Sequence, residues 1–177
     1  MFNHSLATKR DIPELMDLME ISISTILGKM LDEYQYEAAR ESMGLDTQLI
    51  EDRSYFLVRK DDVLVGSGGY SYRQTLFGGN HTPNRSDDLL KPGEDSAKIR
   101  AMYTHPDWTR LGVGSYILDL AEKNVKNIGF QSTELMATVS GRLLYEKKGY
   151  QLVEEIEYVS MIGNKVPMYK MEKKFDE

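Results

Sequence analysis

A chain of 177 residues with 41% apolar and 28% charged residues has the make-up of a globular protein, and its length suits one domain with a proper core. A formal net charge of −6 argues against nucleic acid as a partner, since phosphate backbones are gripped by clustered Lys and Arg, and it favours a cationic substrate. The absence of cysteine rules out disulfides, thiolate metal sites and a cysteine nucleophile. No apolar run approaches the roughly 20 residues that cross a bilayer, and Met1-Phe2-Asn3-His4-Ser5-Leu6 lacks a secretory pattern, so no membrane contact and a cytoplasmic location are expected.

A short strand is expected over residues 5–8. Asp11 then sits like an N-cap, with Pro13 in the first turn and Glu14 at the capping-box spacing. Leu15, Leu18, Met19, Ile23, Ile26 and Leu27 recur at helical intervals, which predicts a first helix to about Gly28. A second helix over about 31–43 closes at Gly44. Residues 55–59 read as a strand, Lys60-Asp61-Asp62 as a hairpin turn, and 63–72 as the returning strand. From Gln74 to about Ser96 the periodicity disappears among Gly78, Gly79, Asn80, Pro83, Pro92 and Gly93. So long an irregular segment is uncommon in a compact domain; it serves as a functional lid or as disordered surface chain.

Residues 97–104 form the next expected strand. It runs into Trp108-Thr109-Arg110-Leu111-Gly112-Val113-Gly114-Ser115, and a helix follows over 113–128, closed by Gly129. The first turn of a helix leaves its N–H groups unpaired, and the helix dipole adds positive charge there. Gly112 and Gly114 remove side chains that would hold an anion away from those donors. A diphosphate fits such a turn, although glycine also serves ordinary tight turns. A strand over 135–139, a short helix over 142–148 ended by Gly149, and an antiparallel pair over 150–162 and 166–175 complete the chain. The order βααβββαβαββ predicts a mixed α/β sheet in a single domain over 1–177.

Arg110-Leu111-Gly112-Val113-Gly114 after a strand resembles the acetyl-CoA signature Q/R-x-x-G-x-G/A of the GCN5-related N-acetyltransferase (GNAT) superfamily. Leu144-Tyr145-Glu146-Lys147-Lys148-Gly149-Tyr150 is similar to the family's L-Y-x-K-x-G-F/Y segment, and Tyr103-Thr104-His105-Pro106 to its V-H-P strand ending. Two positions depart from the pattern. Thr109 stands at the first signature position, with Arg110 one residue late, and Thr138 stands where many members carry a cofactor-contacting asparagine.

The resemblance implies a mostly antiparallel sheet flanked by helices and splayed between strands 4 and 5, with acetyl-CoA as cosubstrate. The pantetheine arm would fill the splay and pair with backbone groups of Met102 and Thr104, next to Tyr103. The Met102 N–H would polarise the acetyl carbonyl. The N–H groups of the Thr109, Arg110, Leu111, Gly112, Val113, Gly114 and Ser115 stretch would hold the diphosphate, with Thr138 a further cofactor contact. Tyr145 is the expected general acid for the leaving thiolate; the plain alternative is packing beside Leu143 and Leu144. No general base stands out, since strand 4 offers Lys98 and Arg100, and the other candidates are Glu134, Glu94, Asp95 or a water chain.

The expected function is transfer of an acetyl group to the primary amine of a small molecule, with a homodimer admitted by the family. The alternatives are a non-catalytic acyl-CoA-binding or sensor module and a protein N-acetyltransferase. Tyr70 and Tyr72 share a strand face, and Tyr34 and Tyr36 lie in the helical region that covers the family's acceptor site; the reading as ordinary packing aromatics is preferred to one in which they line the acceptor side. Asp87-Asp88 and Glu94-Asp95 either attract a cationic acceptor or solvate the loop. His4, His81 and His105 are far apart and show no metal-ligand spacing, so no metal is expected.

Overall fold

A computed structural model describes residues 1–176. In chain order they form β1 (Asn3–Leu6), α1 (Ile12–Ile26), α2 (Glu33–Glu41), α3 (Thr47–Glu51), β2 (Tyr55–Lys60), β3 (Val63–Ser71), β4 (Ala97–Thr104), α4 (Val113–Asn127), β5 (Ser132–Ala137), α5 (Arg142–Lys147), β6 (Gln151–Val159) and β7 (Lys165–Lys174). The strands make one mixed sheet in the order β1-β2-β3-β4-β5-β7-β6. Its β4–β5 pair runs parallel, and the other neighbours run antiparallel.

Alternation along the strands assigns the helices to the two faces. Tyr55 and Leu57 join Leu15, Leu18, Ile23, Ala38 and Leu49 in a core under α1, α2 and α3. Phe56 instead joins Leu118, Ala121, Val125 and Tyr145 under α4 and α5. α4 lies close on β3 because Gly66 and Gly68 face it. A methyl group on Gly68 would meet Met102 Sδ at 2.5 Å and Ile117 Cγ2 at 2.8 Å.

Several local expectations shift. The first strand starts at Asn3 and ends at Leu6, two residues earlier than its pattern suggested. Asp11 does not cap α1 with its side chain; its carboxylate accepts from the N–H and hydroxyl of Thr8, at 2.7 and 2.8 Å. Glu14 pairs with Arg59. α2 is shorter than expected, because Asp32 and Gln35 form the reciprocal cap that starts it. α3 was not anticipated: five residues are too few to display a helical period, and only Asp46, which accepts from Gln48 N–H, marks its start.

The decisive feature lies between β4 and β5. Their pairing is limited to Ala97 with Thr133 and Lys98 with Glu134. Beyond that, β4 carries one extra residue against β3: Ala101 and Met102 face Gly68 alone, with Ala101 at φ 52°. The bulge bends β4 away, while β5 stays paired with β7 from Ser132 to Ala137. The sheet therefore forks.

At the fork, Lys98 and Lys170 both pair with Glu134. Burial pushes the Glu134 carboxyl up, but the hydrogen bond and charge of Lys98, then those of Lys170, outweigh it and hold it below the usual carboxylate range. A depressed folded-state value means this stabilisation is present above the unfolded value of 4.5 and is lost as pH falls through the folded one. Glu134→Gln, which strands a buried lysine, should cost about 3 kcal/mol at neutral pH. Urea melts between neutral pH and pH ~3 should show a flatter acid limb for the variant than for the parent.

Candidate active site

The fork opens a slot of about 490 Å³ that passes through the sheet. Val113, Leu144 and Tyr145 line it from the α4–α5 face, and Ile23, Leu27, Tyr103 and Met168 from the α1 face. Its walls between the strands come from Ile99 to Thr104 of β4 and from Leu135 and Met136 of β5. The stretch of β4 containing Met102, Tyr103 and Thr104 has no strand partner on the slot side. An extended polyamide chain fits such an edge as a sheet strand would.

One mouth of the slot is the turn before α4. His105 accepts from Asp107 N–H, and a single 3-10 turn, Pro106–Trp108, leads the chain round. Arg110 at φ 64° and Gly112 at φ 90° both take left-handed backbone, a conformation that costs a non-glycine residue about 1 kcal/mol. The first bond of α4 runs from Tyr116 N–H to Gly112 C=O. Among the described residues, the N–H groups of Arg110, Leu111, Gly112, Val113, Gly114 and Ser115 have no protein acceptor. A methyl group added at Gly112 would meet nothing within 4 Å, so the concavity is open.

The two glycines have separate duties. Gly112 supplies the left-handed bend, whereas a methyl group on Gly114 would lie 2.8 Å from Leu144 Cδ2, so Gly114 lets α5 pack against α4. Arg110, in this turn, and Lys147, at the end of α5, both line the slot, and among the described residues neither forms an ion pair. Six donors, a helix N-terminus and two free cations make a site for a multiply charged anion. Lys147 was visible in the sequence only as a motif position.

The remaining expected residues are all gathered at the slot except Leu111, whose side chain is exposed outside it. Thr109 faces the slot but spends its hydroxyl on Pro106 C=O at 3.0 Å. Thr138 shares a 3.0 Å hydrogen bond with the Ser140 hydroxyl. Tyr145 sits midway, buried, its ring edge-on to Tyr150 at 5.8 Å between centroids. Its hydroxyl has no hydrogen-bond partner among the described residues. Burial, with the neighbouring Tyr103 phenol adding to it, pushes the Tyr145 phenol well above its ordinary value. It stays protonated across neutral pH.

None of the candidate bases faces the slot as a base. Glu134 is engaged by two lysines, and Glu94 and Asp95 bind Lys91 on the surface. Lys98 is buried at the fork. Arg100 lines the slot, yet its guanidinium is held by Asp46 and by the carbonyls of Thr75 and Gly78. Tyr70, Tyr72, Tyr34 and Tyr36 do not line the slot, and Tyr36 instead bonds Arg40.

The long segment after β3 packs as a wall of the slot, tied down by side-chain contacts. Arg85 joins Arg100 on Asp46, each at 2.8 Å, and also donates to Gly78 and Gly79 C=O. Thr82 donates to Glu41 C=O, Asn80 N–H bonds Leu45 C=O, and the Asn80 side chain accepts from Thr47. Leu76, Phe77 and Gly78 are thereby pinned along the slot, with Phe77 edge-on to Tyr158 at 5.7 Å. The sequence hid this wall because Asp46, Arg85 and Arg100 are far apart along the chain and belong to no local pattern.

A family model for the acetyltransferase (GNAT) family matches residues 23–150, and the chain belongs to that family. Solved structures agree on the fold. A GCN5-related N-acetyltransferase of Rhodopseudomonas palustris superposes with TM-score 0.68 at 20% identity, over 99% of this chain and 95% of its own. A Salmonella typhimurium putative acetyltransferase, yncA, solved with acetyl-CoA, gives 0.66 at 12% identity, over 100% and 95%. The PaiA N-acetyltransferase of Thermoplasma acidophilum, solved with coenzyme A, gives 0.64 at 16% identity, over 99% of both chains. A search of curated proteins finds no match.

Asp46→Ala leaves two guanidiniums, one of them almost fully buried, without a counter-charge, and should destabilise the protein by about 3–5 kcal/mol. It should also loosen residues 74–86. Limited proteolysis that cuts this segment in the variant and spares it in the parent checks the wall directly.

Proposed function

We propose that the protein moves the acetyl group of acetyl-CoA to a primary amine of a small molecule. The observation that carries this reading is the slot itself, with an unpartnered N–H cradle at one mouth and an unpartnered phenol midway. The diphosphate rests on the N–H groups of Arg110 to Ser115, with Arg110 and Lys147 beside it. The pantetheine arm lies along Met102 to Thr104, and Thr138 borders the same path.

The amine nitrogen bonds to the thioester carbonyl carbon, and the carbon–sulfur bond breaks. A Met102 N–H turned to the slot stabilises the oxygen charge that develops. Tyr145 gives its proton to sulfur, and the proton that the nitrogen sheds replaces it, so the phenol ends as it began. An alkylammonium with a pKa near 10.4 is only about one part in 2,500 neutral at pH 7. Apolar walls disfavour the charged form, and the excess proton leaves through water. This supplies what the missing carboxylate base would have done.

Small acceptors are favoured over proteins because Leu76, Phe77 and Gly78 are fixed against the slot and restrict the approach of a broad surface. Tyr145→Phe should lower kcat about a hundredfold and leave coenzyme A affinity unchanged. Turnover and calorimetry measured together test this, and an equal loss of both would contradict the role given to the phenol. Because the folded-state Tyr145 pKa lies above the ordinary phenol value, kcat/KM should climb from pH ~6 to ~9 with amine deprotonation and show no phenol-dependent fall in that range. Tight coenzyme A binding without acetyl transfer to any amine would indicate a sensor module.

A further inference from the structure

The arm of the slot on the α1 face is walled by Ile23, Ile26, Leu27, Met43, Leu76 and Phe77. Among the described residues, no Asp, Glu or His lines any part of the slot. Asp46 lies behind this wall, its side chain 1% exposed, and is shared by Arg85 and Arg100. That corner holds two positive groups against one negative. The chain's acidic surplus is spent elsewhere. Glu41, for example, is taken up by the Tyr158 hydroxyl and the Met161 N–H.

Three hydroxyls break the apolar surface, and that of Ser42 is spent on Ala39 C=O. Ser22 has no hydrogen-bond partner among the described residues, and Tyr103 accepts from Gly44 N–H at 2.9 Å while keeping its own proton. They suffice for one amine. A second ammonium carried into this arm would lose its water and find no carboxylate to replace it.

We infer that the acceptor is a small amine with one ammonium on an apolar body, its far end neutral or a carboxylate, and that polyamines and aminoglycosides are rejected for want of a counter-charge. This rests on the transferase reading and specifies the substrate of the same slot. It also reverses the expectation drawn from net charge, which counted carboxylates without knowing where they point.

Hexylamine and hexamethylenediamine differ by one terminal ammonium, and aminocaproate replaces that ammonium with a carboxylate. Binding of each to the full chain is read from the methyl NMR signals of Ile23, Ile26 and Leu27, and turnover from coenzyme A release with acetyl-CoA. Hexylamine should be favoured over the diamine by about tenfold or more in both affinity and kcat/KM, with aminocaproate also ahead of the diamine. Leu76→Asp should reverse the order, and Ile26→Asp provides the same reversal if the first variant misfolds. Equal or better binding of the diamine to the parent protein overturns the inference. So does a failure of hexylamine to perturb those methyl groups, or clear preference for a peptide N-terminus over hexylamine. Hexylamine preference without coenzyme A release supports the chemistry of the arm and removes the transferase reading instead.

Discussion

Two parallel strands that part after two residue pairs govern this molecule. A sheet interior normally satisfies every backbone donor and acceptor through its neighbours, and leaving part of an inner strand unpaired carries a free-energy cost. Here the separation is built in from both sides. The extra residue at Ala101–Met102 bends β4, full pairing with β7 keeps β5 straight, and the Lys98–Glu134–Lys170 cluster fixes where the two part. The slot is a consequence of these arrangements.

The slot is graded along its length. Its outer mouth offers N–H donors, a helix N-terminus and the cation Arg110, and Lys147 also lines the slot. Its middle offers a phenol kept protonated by burial. Its inner arm is apolar and carries no carboxylate among the described residues. On the proposed reading, the same gradient orients the donor, protonates the leaving group and discourages the charged form of the acceptor. A dedicated base is dispensable when burial itself weakens the hold of an amine on its proton.

Much of this was legible in the sequence because it is written locally. The strand ending at Thr104, the turn through Gly112 and the helix from Val113 are contiguous, so periodicity and glycine placement locate them together. Tyr145 and its helix followed from a neighbouring motif. What stayed hidden depends on contacts between distant positions. Asp46, Arg85 and Arg100 meet only in the folded chain, and their meeting turns an apparently structureless segment into a wall. The α3 helix is too short to show a period. Gly114 was expected to clear space for an anion, and it also makes room for Leu144, a second role that no spacing rule can draw.

Titration of isotope-labelled protein with coenzyme A, followed by amide NMR, addresses the cradle most directly. Saturable movement of the Leu111 to Ser115 amide signals, together with those of Met102 and Thr104, is the predicted result. Unmoved signals at these positions under millimolar coenzyme A would contradict the account at its root.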